Sequence, residues 1–566
     1  MSALASRPIT QTHAGRMARQ RAWVLDSRVR LLNSRVRLLD IATLVGLYVL
    51  GLATRLLAVA AVREPLTEGS TYYVAVAQNL VTGRGLVIDS IWSYATPPLT
   101  LPRPAFELWQ PMASFIAALP MAVLGPSYGA AQIGFALLGA ALAPLAWLLA
   151  RDTVRRLGIS GATATAITVG AGVLAAISGP LLLSAAAPDS TLPFTVLALV
   201  ACLLMPRAAA GQRRQIVALG VCLGLAYLTR MEAVWLGIGF VVVCAAAGNS
   251  LRRSAALCAA CATAAALVAL PWWLRNLAVF GTPFPGQLAD NAFLTRNEQI
   301  FAYVDRPTLA GFLDQGLPTL LGNIGSALWH DLVDVLVVPA APVALAALAT
   351  LVVLLGRRRL PADSALGAVL ISGAITFAAT SVLFPVATLW GTFEHAAGAL
   401  EVALVVLALV GAGEAVARIR EWRAWPRSNA WLAPAALAAL TLPLAALQVG
   451  GAATNAADDH ARTVQLASAV TAMQGVVDDS VLISDRPIWL SQALGRPVIA
   501  LPDEPTASVA RLAADFGATM VILSAPRGSY PDALRAPAVR DCFVEQSLPG
   551  LLALPSSVFA ISEACR

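Results

Sequence analysis

The chain has no lysine: all 39 of its basic residues are arginine. That fits a GC-rich genome and carries no functional consequence. Charge of either sign is scarce, at 13% of 566 residues, against 58% hydrophobic residues. Such a balance excludes a soluble globule of this size and indicates a polytopic membrane protein, with the bilayer as its main solvent. The formal excess of +7 does not point to nucleic acid. The arginines stand in short runs between apolar segments, where the positive-inside rule assigns them to the cytoplasmic side. No Gly-rich phosphate loop is present, so no nucleotide cofactor is expected. Cys258 and Cys261 form a C-x-x-C, but no second pair and no histidine stands near it. It lies inside "AALCAACATAAALVAL" and, with Cys202, Cys222 and Cys244, reads as a set of small hydrophobes.

What is abundant is long apolar stretches. A spanning helix needs about 20 residues, and by that criterion eleven helices fit, at about 41–62, 128–150, 160–182, 190–205, 215–229, 233–248, 254–274, 336–355, 362–384, 397–414 and 429–449. Residues 1–40 form a basic cytoplasmic arm with a duplicated "SRVRLL". With the N-terminus inside, the runs "RDTVRR", "PRAAAGQRR", "NSLRR", "GRRRLP" and "RIREWR" all fall on the cytoplasmic side, although only apolar length was used to place the helices. Residues 63–127 are then an outer loop with an amphipathic helix at about 109–124, and a second long outer loop runs to about 335. Three units follow: the arm at 1–40, a transmembrane module at 41–449, and an extracytoplasmic domain at 450–566. In the last, strand-like runs ("SVLISD", "RPVIAL", "ATMVILS") alternate with helix-like ones ("PIWLSQAL", "TASVARLAADFG"), which predicts a small α/β unit. On that side of the membrane, Cys542 and Cys565 are free to pair.

Under this topology the unusual polar residues collect on one face. Glu68, Tyr72 and Tyr73 follow the first helix in "LTEGSTYYVAVAQNLVTGRG"; Arg103 and Glu107 lie in "RPAFELWQP"; Asp189 is in the second outer loop. Arg230 and Glu232 tip a hairpin, Arg275 and Asn276 follow Trp272 and Trp273, and Glu394 and His395 open the tenth helix. Plainer readings stand beside these: loops are polar anyway, Arg230 and Glu232 can neutralise each other at a helix end, and the tryptophans suit an interfacial belt. Arg55 lies within the first apolar segment, where it must snorkel or meet a buried partner.

The stretch "LTEGSTYYVAVAQNLVTGRGL" resembles the first outer loop of the GT-C superfamily of integral-membrane glycosyltransferases, in the branch of protein O-mannosyltransferases and lipid A aminoarabinose transferases. "FELWQPMASFIAALPMAVLG", "APDSTLPFTVLALVACLLM", "GLAYLTRMEAVW" and "PWWLRNLAVFGTPFPG" resemble further family stretches in the same order, over most of residues 41–290, and "GTFEHAAGAL" adds a weaker match. The resemblance implies an α-helical GT-C-like membrane enzyme in the cytoplasmic (inner) membrane. It would move a sugar from a polyprenyl-phosphate carrier to a lipid, glycan or protein acceptor on the outer face, with inversion. Glu68 then matches the catalytic acid position and is the candidate general base, and Asp189 matches a second acidic position. Arg275, Arg230 and Arg55 are candidates for the lipid phosphate, with Arg103, Tyr72, Tyr73 and His395 as further substrate-binding residues. Glu107 matches a position that helps hold a divalent metal in some relatives. One departure is that many relatives carry an adjacent acidic pair where this chain has Glu68, Gly69 and Ser70.

Two other classes of function stay open. A transporter or flippase would show repeated halves and ionisable residues at helix midpoints, whereas here they gather at helix ends. A non-catalytic relative would retain the scaffold as an assembly partner. For the C-terminal unit, a cap or acceptor-recognition role and a structural appendage are both open.

Overall fold

The computed structural model describes residues 38–473, 480–525, 529–548 and 555–565. The basic arm lies outside this range except for its last residues. Among the described residues, eight helices are long and apolar enough to cross a membrane, and a ninth span forms if Gly161–Ile177 and Gly179–Ala186, bent by 47° at Ser178, are taken together. Shorter apolar helices at Ala233–Ala246 and Ala341–Gly356 occupy two more of the positions expected from the sequence. The chain is a multi-pass membrane protein of mostly helical build.

Small residues let these helices approach closely, as expected where the solvent is lipid and packing rather than burial drives association. Gly51 meets the backbone of Ala140, Gly172 meets Leu47, and Gly220 meets the carbonyl of Cys261. The arginine-rich loops meet at one end of the bundle. Arg359 donates to the Leu157 carbonyl at 3.1 Å and lies 3.6 Å from Glu414, and Arg253 donates to the Ala210 carbonyl at 3.1 Å. The acidic and aromatic loops lie at the other end. The amphipathic helix of the first loop is Met112–Leu124, which buries Ala113, Ala117 and Met121 and exposes Leu119 and Val123.

Three features differ from the sequence expectation. The second long loop contains an apolar helix, Leu317–Trp329, continued by a π-helical turn, His330–Val337. Its mean hydropathy is only 1.2, which is why apolar length alone passed over it. Next, the helix starting at Leu432 does not stop at 449. It runs 40 residues to Thr471, because the small-residue stretch after Gly451 contains no helix breaker, so no boundary falls at 450. Finally, the C-terminal unit does not stand alone.

Among the described residues, eight short strands explain that last point: β1 Val87–Ile88, β2 Ser90–Ile91, β3 Arg103–Pro104, β4 Val481–Ser484, β5 Val498–Ala500, β6 Ala518–Leu523, β7 Phe543–Gln546 and β8 Ser557–Ile561. β1 pairs with β3 inside the first loop. The other six form one sheet in the order β2-β5-β4-β6-β8-β7, parallel from β2 to β6 and antiparallel beyond. The edge strand β2 comes from the first loop, about 400 residues earlier in the chain. Helices Pro487–Leu494 and Thr506–Phe516 match the helix-like runs of the sequence. Leu466 and Val470, at the end of the 40-residue helix, pack with Leu482, Leu490 and Val498 and root the sheet on the bundle. Cys542 and Cys565 form a disulfide, with 5.5 Å between Cα atoms.

Candidate active site

Thr67 begins the site. Its side chain accepts from Ser70 N at 3.1 Å, and Ser70 Oγ accepts from Thr67 N at 3.2 Å, a reciprocal cap that starts the helix Glu68–Val81 at Glu68. The Glu68 carboxylate therefore sits where the helix dipole favours negative charge. Oε2 accepts from Trp92 Nε1 and Oε1 from the backbone N–H of Ile488, both at 3.3 Å. Ile488 is in the first turn of Pro487–Leu494, so this acid is shared between the first loop and the C-terminal sheet unit.

One turn on, Tyr72 and Tyr73 are buried. The Tyr72 hydroxyl accepts from Phe106 N at 2.7 Å, and Phe106 is held at φ 71°, in the left-handed region that a bulky side chain rarely adopts. An aromatic cluster follows. Tyr72 meets Trp109 at 4.4 Å between centroids, Trp109 meets Trp92 at 5.1 Å, Tyr72 meets Phe106 at 5.9 Å, and Phe106 meets Trp272 at 5.6 Å. The Arg275 guanidinium lies 4.8 Å from the Trp272 ring centre and 5.1 Å from that of Phe280. Glu68 and Arg275 thus stand at two ends of one continuous aromatic wall.

Asp189 centres a second group. It is buried, and its Oδ1 accepts from Thr191 N at 2.7 Å. Burial raises its carboxyl to about 6, against the opposing pull of the Thr191 hydrogen bonds and Arg230. Arg230 donates to Ser190 Oγ at 2.8 Å and to Glu232 Oε1 at 2.7 Å. Arg230 and Glu232 do pair, as the plainer reading holds, yet the same guanidinium also reaches the residue beside Asp189. His395 Nδ1 lies 2.6 Å from Thr191 Oγ1. Burial, then Arg230, lowers its pKa to about 3, so it is a neutral hydrogen-bonding imidazole. Burial also raises Glu394. Gly391, at φ 96°, leaves room for this turn, since a Cβ there would lie 3.2 Å from His395 Nε2.

Three of the sequence-derived residues play other parts: Arg55 stands elsewhere, whereas Arg103 and Glu107 flank Phe106, with both charges acting on Tyr72 and that of Glu107 also on Arg275. Arg103 is fully buried and braces its own loop: it donates to the carbonyls of Ser93 and, at 2.7 Å, Thr96, with Glu107 at 3.4 Å. Glu107 leaves Oε2 buried without a partner. Among the described residues no three His, Cys, Asp or Glu side chains gather at a metal-like spacing. A lone carboxylate against a guanidinium is a poor hard-cation site, so the residues present do not fit a divalent metal at Glu107. Arg55 lies inside the bundle, fully buried, donating to the Gly51 carbonyl at 3.1 Å and the Ala175 carbonyl at 3.4 Å. Sequence reasoning missed Trp92, Thr191 and the Ile488 N–H. The alternating, aromatic "SIWSY" was the one available signal for Trp92.

Residues 103–274 match the family model described as dolichyl-phosphate-mannose-protein mannosyltransferase. No curated protein matches the chain in sequence. Among solved structures, the oligosaccharyltransferase of Archaeoglobus fulgidus in its apo form is similar at a TM-score of 0.52 and 13% identity, covering 85% of this chain and 69% of that one. ArnT from Cupriavidus metallidurans in the apo state is similar at a TM-score of 0.50 and 13% identity, covering 94% of this chain and 99% of that one.

Proposed function

Because the chain carries the GT-C fold of membrane glycosyltransferases, we propose that it moves a sugar from a polyprenyl-phosphate carrier to an acceptor hydroxyl on the extracytoplasmic face, with inversion. The observation that carries this reading is the aromatic wall with Glu68 at one end and Arg275 at the other. The buried rings hold the two ends of the wall at fixed positions, and those ends supply opposite charges. The matched family model, described by its dolichyl-phosphate-mannose donor, supports a lipid-phosphate sugar. The arginine-rich loops at the far end of the bundle support the sidedness. So does the Cys542–Cys565 disulfide, a bond of oxidising compartments.

In the proposed reaction the acceptor oxygen attacks the anomeric carbon, the bond from that carbon to the phosphate oxygen breaks, and the acceptor proton passes to Glu68. The hydrogen bonds from Trp92 and Ile488 hold the Glu68 carboxylate in place. The phosphate leaves as an anion met by Arg275, with Arg230 as the second cation. Asp189, Thr191 and His395 hold the turn beside Arg230 and offer polar contacts to sugar hydroxyls.

Purified protein in lipid nanodiscs, given labelled polyprenyl-phosphate sugars and a panel of lipid, glycan and peptide acceptors, tests the proposal. Transfer by the parent chain and its loss in Glu68→Gln agree with it. Undiminished transfer by Glu68→Gln removes Glu68 as the base. Movement of labelled lipid across the bilayer without transfer favours a transporter.

A further inference from the structure

Between Leu251–Phe280 and the next long apolar helix, residues 286–306 form a strap fastened to both the first loop and the sheet unit. Its start is tied to the first loop, where Gly286 N donates to Thr96 Oγ1 at 3.0 Å, and Gln287 Nε2 donates to the Ile300 carbonyl at 2.9 Å, which draws the strap back on itself. Further on, Arg296 meets Asp503 Oδ2 at 3.2 Å and donates to the Asp503 carbonyl at 2.8 Å, and Arg306 donates to the Tyr94 carbonyl.

The firmest tie is Glu504, in the "LPDEP" that follows β5. It is 5% exposed, and its carboxylate accepts from three successive backbone N–H groups, those of Tyr303 at 2.8 Å, Val304 at 2.9 Å and Asp305 at 2.9 Å. A buried carboxylate is costly without donors, and hydrogen bonds to a charged oxygen are stronger than neutral ones. The Tyr530 hydroxyl donates to the Glu504 carbonyl and holds its backbone as well. What the strap carries inward is Phe301, the last residue of the 3₁₀ turn Asn297–Phe301, buried at 3% exposure. Its ring meets Trp92 edge to face at 4.8 Å and Trp390 at 5.7 Å. Trp92 is the residue that donates to Glu68, so the donor to the acid is held by two rings, Trp109 of the first loop and Phe301 of the strap.

We propose that Glu504 and Phe301 are positioning residues for the transfer. Glu504 fastens the strap, Phe301 presses Trp92 into place, and Trp92 aims the Glu68 carboxylate at the acceptor hydroxyl. The inference rests on the reading of Glu68 as the base. The Trp92 bond to Glu68 is 3.3 Å long, so a small rotation of the indole breaks it. The sheet unit then reaches the base by two routes, directly through the Ile488 N–H and through Glu504 and the strap.

The test is a kinetic cycle on the full chain in nanodiscs, with kcat and KM read for labelled donor and acceptor. Glu504→Gln keeps the shape of the side chain but makes only neutral bonds, and Phe301→Leu removes the ring. Each is expected to lower kcat by about 10- to 100-fold with both KM values within about twofold of the parent. Trp92→Phe, which keeps a ring but lacks the N–H, is expected to do the same. Added to Trp92→Phe, either strap substitution then costs less than about twofold more, because no indole bond is left to aim. An unchanged kcat in either single variant overturns the proposal. So does a further full loss when either is added to Trp92→Phe, the mark of a merely structural role, and so does a raised KM with kcat kept, the mark of a substrate-binding strap. If Glu504→Gln does not fold, the Phe301→Leu arm decides by the same cycle. No transfer by the parent, or undiminished transfer by Glu68→Gln, overturns the underlying reading and this inference with it. Transfer lost in Glu68→Gln but untouched by the strap variants overturns this inference alone.

Discussion

At the scale of single residues, the account rests on a few charged side chains held by identifiable partners. Glu68 is fixed by a helix cap behind it and by Trp92 and Ile488 in front. Glu68→Gln keeps the shape of the side chain but cannot take a proton. Transfer is expected to fall by about 10²–10⁴-fold, read as kcat, with the protein still folded. Asp189 supplies the pH dependence. With its carboxyl raised to about 6 by burial, it is protonated below that pH and ionised above it. If the ionised form is needed to hold Arg230, the rate rises through about pH 6 and levels off above it, and Asp189→Asn flattens that limb. The sign for stability is the opposite. Ionising a buried acid costs folding energy, so stability is fullest at low pH and declines as pH rises through about 6. Asp189→Asn should therefore be more stable than the parent at pH 8, by roughly 1–3 kcal/mol, and no different at pH 4. Thermal unfolding at the two pH values checks this.

At the scale of elements, the helices were the most legible part, because a run of about 20 apolar residues has few alternatives. Strands β4, β5 and β6 and the helices Pro487–Leu494 and Thr506–Phe516 were legible too, since their alternation and turn residues are local signals, whereas β7 and β8 were not anticipated. Elements that depend on distant partners were not. β2 is two residues long and becomes a strand only because β5 pairs with it. The π-helical turn at His330–Val337 is secured by Asp331, which accepts from Ser381 Oγ at 2.8 Å and Thr388 Oγ1 at 3.0 Å, contacts that no local pattern announces. The candidate site divides in the same way. Its acids and arginines were visible as odd residues in polar loops, whereas Thr191 and the Ile488 N–H gain a role only through folding. Arg55 shows the opposite failure, since a charge inside a span looked like part of the site and packs elsewhere. Gly139 permits that packing, because a Cβ there would stand 2.7 Å from Arg55 Nε and 2.9 Å from its Cδ. Gly139→Ala is expected to destabilise the bundle by about 1–3 kcal/mol through overpacking. An unchanged unfolding temperature in detergent would contradict this.

At the scale of the whole molecule, the two ends of the bundle differ in chemistry: arginine loops at one, and the aromatic wall, the buried acids and the sheet unit at the other. The sheet unit is woven into the site, with one strand from the first loop and one hydrogen bond to Glu68. Its disulfide gives a count to test. If this end faces an oxidising compartment, denatured protein should expose five alkylatable thiols before reduction and seven after it. Seven without reduction would place the unit on the reducing side.

Sidedness decides the account most directly, because a lipid-phosphate donor and an outer acceptor need both charged ends of the wall on the extracytoplasmic face. Single cysteines replacing Arg63, Phe284 and Arg358, each in a background without reactive thiols, can be probed in intact cells with a membrane-impermeant thiol reagent. The predicted result is labelling of Arg63→Cys and Phe284→Cys from outside, near Glu68 and Arg275 respectively, with Arg358→Cys labelled only after lysis. Labelling of the first two from opposite sides, or of Arg358→Cys alone from outside, would contradict it.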